Sequence, residues 1–185
     1  MPLNFPPATA RNPWYTALLL LTLAFFSGAG RADDDEALLK AGFISKFPSY
    51  VTWPHPPAAT GPRPFVYCVL GETPVTAQLR SLLALSPGDG RHARVRQLSH
   101  PSDADGCQLL LVAADHANRI NSVLQEIGNH PVLVVGETAG LAQRGAHISL
   151  YRAGDRLRFA VNRSAFKRSG LGVSFRLLEM AKVVE

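Results

Sequence analysis

The sequence predicts an α/β fold: a three-layer domain with a largely parallel central sheet and a C-terminal antiparallel hairpin. In the middle of the chain, short apolar runs alternate with segments of helical periodicity, which is typical of βαβ units. The runs at 108–112 and 132–135 are apolar throughout, as in strands that are buried on both faces. Across residues 147–161, apolar and polar residues alternate on either side of Gly154-Asp155, which indicates a hairpin.

The first 32 residues are predicted to be a secretory signal peptide. A basic N-terminus precedes an apolar run, Trp14–Phe26, and small residues follow that run. The run has 13 residues, whereas a membrane span needs roughly 20. Cleavage after Ala29 and cleavage after Ala32 both fit the pattern, and an uncleaved N-terminal anchor is the alternative. We therefore expect one exported domain at 33–185, which is long enough to bury a substantial core.

The charge balance does not support nucleic-acid binding. The chain has 19 Lys and Arg against 14 Asp and Glu, a formal charge of +5. Removal of Arg11 and Arg31 with the signal peptide lowers that charge by two. The sequence contains no Lys/Arg-rich run and no ladder of aromatic residues among basic ones.

The mature chain is predicted to open with a helix that begins at Asp33 and that Pro48 ends or kinks. Asp33 and Glu36 have the spacing of a capping box, and Glu36 and Lys40 form an i,i+4 pair. The other predicted elements follow in order. They are a loop at 54–64, a strand at 65–70 ended by Gly71, a helix from Thr73-Pro74 through Leu83, a weak strand at 93–98, a strand at 108–112, a helix at 117–127, a strand at 132–135, the hairpin, and a helix through Leu177 and Val184 capped by Ser174.

Two cysteines, Cys68 and Cys107, offer a disulfide. An exported protein meets an oxidising compartment, where an even number of cysteines favours pairing. If the two strands are neighbours in a βαβ unit, the Cα atoms can meet the limit of roughly 7 Å for a disulfide. Two separate buried thiols are the alternative, and a redox-responsive bond is a third interpretation.

No catalytic residue, metal site or cofactor is predicted. The six histidines lack the mutual spacing of metal ligands, and no G-x-S-x-G motif is present. Asp115-His116 favours a loop or a helix cap. Gly71-Glu72-Thr73-Pro74 and Gly136-Glu137-Thr138-Ala139 follow strands, where α/β folds often bind ligands, but simple turns are the commoner explanation. We therefore expect a protein that is not an enzyme.

Two sets of residues are candidates for binding. An aromatic stripe on and after the first helix suits either a partner surface or core packing. Its predicted partner-binding residues are Phe43, Phe47, Tyr50 and Trp53. Arginines cluster around the hairpin, where they suit an anionic ligand, an acidic partner or a solvated sheet face. The predicted ligand-binding residues of that region are Arg158, Asn162, Ser174 and Arg176.

Two segments at opposite ends of the mature chain resemble the YfiR-like family. The first, K-A-G-F-I-S-K-F-P-S-Y-V-T-W-P at 40–54, is an aromatic-rich helix that ends in Trp-Pro. The second runs from Gly145 through R-L-R-F-A-V-N at 156–162 to S-F-R-L-L-E-M-A at 174–181. With the strand–Gly elements between them, the resemblance covers essentially the whole mature chain.

The resemblance implies a small periplasmic α/β protein without known catalysis that forms a homodimer. The best-understood members repress an inner-membrane diguanylate cyclase by binding its periplasmic sensor region, which couples envelope or redox stress to cyclic-di-GMP, biofilm and motility. An outer-membrane OmpA-like lipoprotein can sequester the repressor. YfiR proper carries two cysteine pairs; Cys68 and Cys107 match the pair that bridges the central strands. The other pair, near 141–151, has no counterpart in this chain.

The leading hypothesis is a non-catalytic periplasmic regulator that represses such a cyclase by direct contact. Its contact surface would include the first helix or the terminal segment. The alternative is a periplasmic small-ligand sensor that acts with a sensor kinase or an outer-membrane receptor, through a pocket lined by the basic hairpin. An enzyme of unrecognised type is a third hypothesis.

Overall fold

The structure is a computed structural model that describes residues 29–54, 64–85 and 93–185, with side chains from Asp33 onward. Most of the predicted signal peptide and of the predicted loop at 54–64 lies outside the described residues. The α-helices are α1 Ala29–Lys46, α2 Val75–Leu85, α3 Ile120–Ile127, α4 Arg163–Ser169 and α5 Phe175–Met180. Short 3-10 helices span Phe47–Tyr50, Pro101–Ala104 and Ala114–Arg119.

The sheet confirms the predicted α/β class. The strands are β1 Val51–Thr52, β2 Phe65–Leu70, β3 Ala93–Leu98, β4 Leu109–Val112, β5 Leu133–Gly136, β6 Ile148–Ala153, β7 Arg156–Asn162, β8 Gly172–Val173 and β9 Lys182–Val184. Within the described residues, seven of them form one sheet in the order β3-β2-β4-β5-β6-β7-β9. The pairs from β3 to β6 are parallel, β6 and β7 are antiparallel, and β9 is parallel to β7.

Alternate residues of the central strands enter two apolar clusters, so the sheet is covered on both faces. On one face, Leu109 and Leu111 of β4 pack with residues of α1, α2 and α5. On the other face, Leu110 and Val112 pack with residues of α3. The continuous apolar runs of β4 and β5 are buried throughout, as their composition predicted. The result is the predicted three-layer arrangement, with a compact unit spanning Glu36–Glu185.

The hairpin forms as predicted, with Gly154 at φ +63° in the turn between β6 and β7. The face of the hairpin that carries His147 and Ser149 was predicted to be exposed, but it is buried at the end near β5. His147 and Ser149 are 5 % and 0 % exposed, although they alternate with Ile148 and Leu150. The reason is that β6 pairs with β5 on one side and β7 on the other, and both of its faces are covered at that end.

The C-terminal segment corrects the prediction of a long last helix. Ser174 does cap α5, because its Oγ accepts a hydrogen bond from the amide of Leu177 at 3.3 Å. The helix ends at Met180, however, and Val184 lies in β9 beside Asn162 of β7. Pairing with a strand already in the sheet satisfies backbone groups that one more helical turn would leave at the chain end.

The boundaries of two other helices also differ from the prediction. The helix α1 begins at Ala29, so Asp33 lies inside it and is not its N-terminal cap. Ala29, Arg31 and Ala32 are good helix formers, and Gly30 among them, although a poor one, does not end the helix. A short helix, α4, was not predicted. Asn162 caps it, with its Oδ1 accepting a hydrogen bond from the amide of Ala165 at 2.8 Å.

Candidate functional site

The two ends of the chain meet in a small second sheet. The strand β1, at the end of the aromatic segment, pairs antiparallel with β8 of the terminal segment. The amide of Ser174 also donates a hydrogen bond to the carbonyl of Tyr50 at 2.9 Å. The sequence segments 40–54 and 174–181, which lie far apart along the chain, therefore form one continuous region.

The structure divides the four predicted partner-binding residues into two pairs. Phe47 and Trp53 are buried, with 2 % and 7 % of their surfaces exposed. Phe43 and Tyr50 are half-buried and pack against the edge of the same core. Core packing therefore accounts for Phe47 and Trp53, and Phe43 and Tyr50 remain available at the surface.

Phe43, Tyr50 and the mostly buried Phe47 line an apolar groove of about 550 Å³ between residues of α1, β7 and α5. Exposed apolar side chains extend it, with Leu39 of α1 57 % exposed and Met180 of α5 53 % exposed. Lys46 supplies the positive charge of its lining. Exposed apolar side chains grouped around a concavity mark an interaction site more often than scattered ones do.

Three aromatic rings in tilted and edge-to-face contact form part of the wall of this groove. The ring centroid of Phe159 on β7 lies 5.7 Å from that of Phe43 and 5.4 Å from that of Phe47. Phe43 and Phe47 are 6.2 Å apart. Aromatic pairs at such separations stabilise one another beyond simple burial. Phe159 of the hairpin thus packs against Phe43 of α1 and against Phe47, which directly follows α1.

A chain of charged side chains secures the same helix. Lys40 Nζ lies 3.1 Å from Glu36 Oε1, which is the predicted i,i+4 pair, and 3.1 Å from Glu137 Oε1. Arg152 Nη1 lies 2.7 Å from Glu36 Oε2. Glu137, directly after β5, is 7 % exposed, and its Oε2 has no hydrogen-bond partner. This role of Glu137 is not predictable from local sequence, because Glu137 lies 97 residues from Lys40.

In this set of charged side chains, the pKa shifts of Lys40 and Glu36 both favour the charged forms. Burial alone would lower the pKa of Lys40, but the carboxylates of Glu137 and Glu36 outweigh it and raise that pKa above its usual value. Hydrogen bonds from Arg152 and then Lys40 lower the pKa of Glu36. At neutral pH the four groups therefore hold α1 against the end of β5 and against β6.

The four predicted ligand-binding residues have different surroundings in the structure. Asn162 and Ser174 serve as the helix caps described above, and Asn162 Nδ2 also donates a hydrogen bond to the carbonyl of Ala142 at 2.7 Å. Arg158 and Arg176 are exposed on β7 and α5. None of the four lines the groove.

The carboxyl ends of β2 and β4 lie where the strand order reverses, a place where α/β sheets often bind ligands. The chain fills this place with its own groups. Asp115 Oδ2 accepts a hydrogen bond from the amide of Glu72 at 3.0 Å, and Oδ1 lies 2.9 Å from His116 Nδ1. These two interactions, in that order, lower the pKa of Asp115. A side chain at Gly71, whose φ is +93°, would collide with Asp115 and His116.

The structure joins Cys68 and Cys107 in a disulfide with a Cα–Cα distance of 5.9 Å. The strands β2 and β4 are parallel neighbours, as the sequence argument required. Arg96, beside Cys68 on β3, donates hydrogen bonds to the carbonyls of Asp103 at 2.8 Å and Asp105 at 2.6 Å. Its guanidinium also lies 3.1 Å from Cys107 Sγ. The disulfide and Arg96 together fix the loop before β4.

A buried histidine and serine resemble a catalytic pair, and the sequence analysis did not single them out. His147 Nε2 lies 2.8 Å from Ser169 Oγ. His147 Nδ1, however, accepts a hydrogen bond from the amide of Val134 at 3.1 Å, so the proton of the neutral ring is on Nε2. That nitrogen donates to Ser169 and cannot accept its proton, and the hydroxyl can donate to the carbonyl of Phe166 at 3.2 Å. The pair is thus a structural bridge between β6 and α4.

Acid is expected to destabilise the fold through His147. Burial, followed by the charge of Arg168, lowers the pKa of His147 from 6.5 to about 4. The unfolded chain therefore binds an additional proton between these values, and stability present above pH 6.5 is lost as the pH falls towards 4. The full effect is about 3 kcal/mol. Urea unfolding across this pH range should show that the free energy of unfolding falls as the pH is lowered. We expect His147→Gln to reduce this slope. The control variant His130→Gln, which replaces an exposed histidine, should retain it. An unchanged slope in His147→Gln would contradict this account.

Two features are absent from the part of the chain that the structure describes. Among the described residues, no helix is both long enough and apolar enough to cross a membrane. Within the same residues, no group of three or more His, Cys, Asp or Glu side chains is placed to hold a metal ion.

Comparison with solved structures supports the fold. A crystal structure titled "conserved domain protein", from Vibrio cholerae O1 biovar El Tor str. N16961, is similar to this chain with a TM-score of 0.53 and 13 % sequence identity. The similarity covers 80 % of this chain and 60 % of that one, so this chain spans less than two thirds of its length. At this identity the likeness concerns the fold alone.

The comparison with family models covers most of the chain. The model described as YfiR/HmsC-like matches residues 37–182. This range contains both end segments, the groove that they form and the disulfide. The chain therefore belongs to the YfiR/HmsC-like family.

Proposed function

We propose that this protein binds the periplasmic sensor region of an inner-membrane diguanylate cyclase and represses it, which lowers cyclic-di-GMP. The observation that carries the proposal is the apolar groove formed by the two ends of the chain. Family membership supports a regulatory role in this pathway, and the groove supplies a surface for a protein partner.

The groove suits an amphipathic helix of the partner. Such a helix places apolar side chains at i, i+3, i+4 and i+7 into a concave apolar surface. Leu39, Phe43 and Met180 would contact those side chains, and Lys46 would favour an acidic residue beside them. The aromatic wall is already ordered, so a partner would bind without first ordering these rings.

The proposal includes three further elements, of which the signal peptide rests on the sequence pattern of residues 1–32 and the other two on the family relationship. The chain is exported with a cleaved signal peptide at 1–32, it forms a homodimer, and an outer-membrane OmpA-like lipoprotein sequesters it when repression must be relieved. The alternative, a small-ligand sensor that acts with a sensor kinase or an outer-membrane receptor, would use a different partner. In that case the groove could still be the contact surface.

A glutamate in the groove is expected to abolish partner binding. Leu39→Glu places a charge among apolar contacts, and it should reduce recovery of the cyclase at least about tenfold, since burying an unpaired charge costs well over 1.4 kcal/mol. The matched control is Leu85→Glu on α2, because Leu85 is 80 % exposed and does not line the groove. The measurement is affinity capture of the tagged chain from solubilised envelopes, with and without reductant, read by mass spectrometry.

The possible outcomes separate the hypotheses. Recovery of a diguanylate cyclase with the natural chain and with Leu85→Glu, but not with Leu39→Glu, supports the proposal. Equal recovery with Leu39→Glu would show that the partner binds elsewhere. Recovery of a sensor kinase or a receptor, with no cyclase, would favour the alternative function.

A further inference from the structure

The buried imidazole ring of His147, directly before β6, connects β5 with the helix α4. Its Nδ1 accepts a hydrogen bond from the amide of Val134 on β5 at 3.1 Å, and its Nε2 lies 2.8 Å from Ser169 Oγ at the end of α4. The ring also meets Phe166 of α4 edge to face, with centroids 5.0 Å apart. Phe166 and Ser169 are two of the three buried residues of α4, so this single ring contacts most of the buried face of the helix.

These contacts require the neutral ring. A protonated imidazole carries a hydrogen on both nitrogens and cannot accept a hydrogen bond. Its Nδ1–H would face the amide hydrogen of Val134, and two donors cannot share the present distance of 3.1 Å. The new charge would also be buried, because His147 is 5 % exposed. Among the described residues, no carboxylate lies within 4 Å of the ring nitrogens to compensate that charge.

The surroundings of the ring oppose its protonation. Burial, followed by the positive charge of Arg168 on α4, outweighs a backbone hydrogen bond with Ala165 and lowers the pKa of His147 from 6.5 to about 4. A cavity of about 210 Å³ beside the ring is lined by both His147 and Arg168. From α3 and the residues after it, the same cavity receives uncharged side chains, which are Leu124, Gln125 and Asn129.

The end of α4 leads directly into the small sheet of β1 and β8. Gly170 ends the helix in the left-handed conformation, at φ +69°, and β8 begins two residues later. The strands β1 and β8 pair over two residues each. So short a pair has little stability of its own and depends on packing against neighbouring elements. We therefore expect the position of β8 to follow that of α4.

We propose that protonation of His147 detaches α4 from β5 and loosens the pairing of β8 with β1, while the central strands stay folded. The opening is local because residues 109–112 of β4 are apolar and buried throughout, so the change at His147 does not alter their packing directly. This acid-driven device does not depend on the proposed repression of a cyclase. It would give the groove a response to acid, since α5 lines the groove and closely follows β8.

Hydrogen exchange read by mass spectrometry tests the proposal on the natural chain. If the opened form returns His147 to its ordinary pKa, linkage makes that form about twentyfold more populated at pH 5 than at pH 7. Peptides covering 163–173 should lose protection by this factor, after correction for the pH dependence of intrinsic exchange. At pH 5 they should exchange well before peptides covering 109–112. Exchange of both segments at one rate would show global unfolding and would overturn the proposal.

Three variants identify the group that takes up the proton. Arg168→Gln removes a charge that opposes protonation, so the pH at which 163–173 opens should rise. Lys167→Gln removes the same charge from the neighbouring exposed residue and should leave that pH unchanged. His147→Gln should exchange at 163–173 with the same corrected rate at both pH values, even if that rate is high. A natural chain without the acid response, a response retained in His147→Gln, or equal shifts in the two α4 variants would contradict the proposal.

Discussion

Replacing Lys40 by methionine is expected to lower the free energy of unfolding by about 4 kcal/mol at pH 7. The variant removes the cation that lies 3.1 Å from Glu137 Oε1, while Glu137 stays 7 % exposed with its second oxygen unpartnered. Breaking a buried pair from one side costs this much because an uncompensated charge stays in the core. Urea unfolding monitored by circular dichroism measures the change.

Two further variants separate this effect from a general loss of contacts. Lys40→Met/Glu137→Gln removes both charges and should be more stable than Lys40→Met alone. Arg152→Met breaks the outer pair with Glu36, in which Arg152 is 54 % exposed, and should cost no more than about 1 kcal/mol. If Lys40→Met and Arg152→Met lower the free energy of unfolding by the same amount, the buried pair of Lys40 with Glu137 is no more important for stability than the exposed pair of Arg152 with Glu36.

Loss of the disulfide is expected to lower the free energy of unfolding by about as much as Lys40→Met does. The bond joins residues 39 apart in sequence, and the chain-entropy model gives about 4 kcal/mol for a loop of that length. Cys68→Ala/Cys107→Ala should therefore unfold at a much lower urea concentration than the natural chain. The reference measurement is the natural chain in reductant, which should shift towards the double variant, whereas reductant should not affect the variant. A natural chain with the same midpoint in both conditions would contradict a stabilising role.

The sheet could be predicted from local patterns because its central strands carry their own signal. Residues 109–112 and 133–135 are apolar without interruption, and only a strand covered on both faces, or a fully buried helix, needs that composition. The flanking glycines and the short length decided between these two. The disulfide partners followed from the same argument, since they lie on or next to strands that pair.

The end of the chain shows where local patterns are insufficient. Val184 fits the helical spacing of Leu177 and Met180, but it equally fits a short strand, and the decision depends on the free edge of β7. The same limit applies to the aromatic stripe. Its spacing marks one side of the chain, but it does not show that Phe47 and Trp53 are only 2 % and 7 % exposed whereas Phe43 is half-buried.

The lining of the groove could be predicted in part from the sequence, because three of the four aromatic candidates, Phe43, Phe47 and Tyr50, belong to it. Asn162 and Ser174 were predicted as ligand-binding residues, yet their side chains bind backbone amides at helix N-termini, which is a frequent role for both residue types. The ion pair of Glu137 with Lys40 could not be predicted from sequence, because the two residues lie 97 positions apart along the chain.

The level of cyclic-di-GMP in the bacterium that carries this gene tests the central claim most directly. Deletion of the gene should raise cyclic-di-GMP, and expression of the natural chain or of Leu85→Glu should restore the original level. Leu39→Glu, present in the periplasm at the same abundance, should fail to restore it. An unchanged cyclic-di-GMP level after deletion, or full restoration by Leu39→Glu, would contradict repression through the groove.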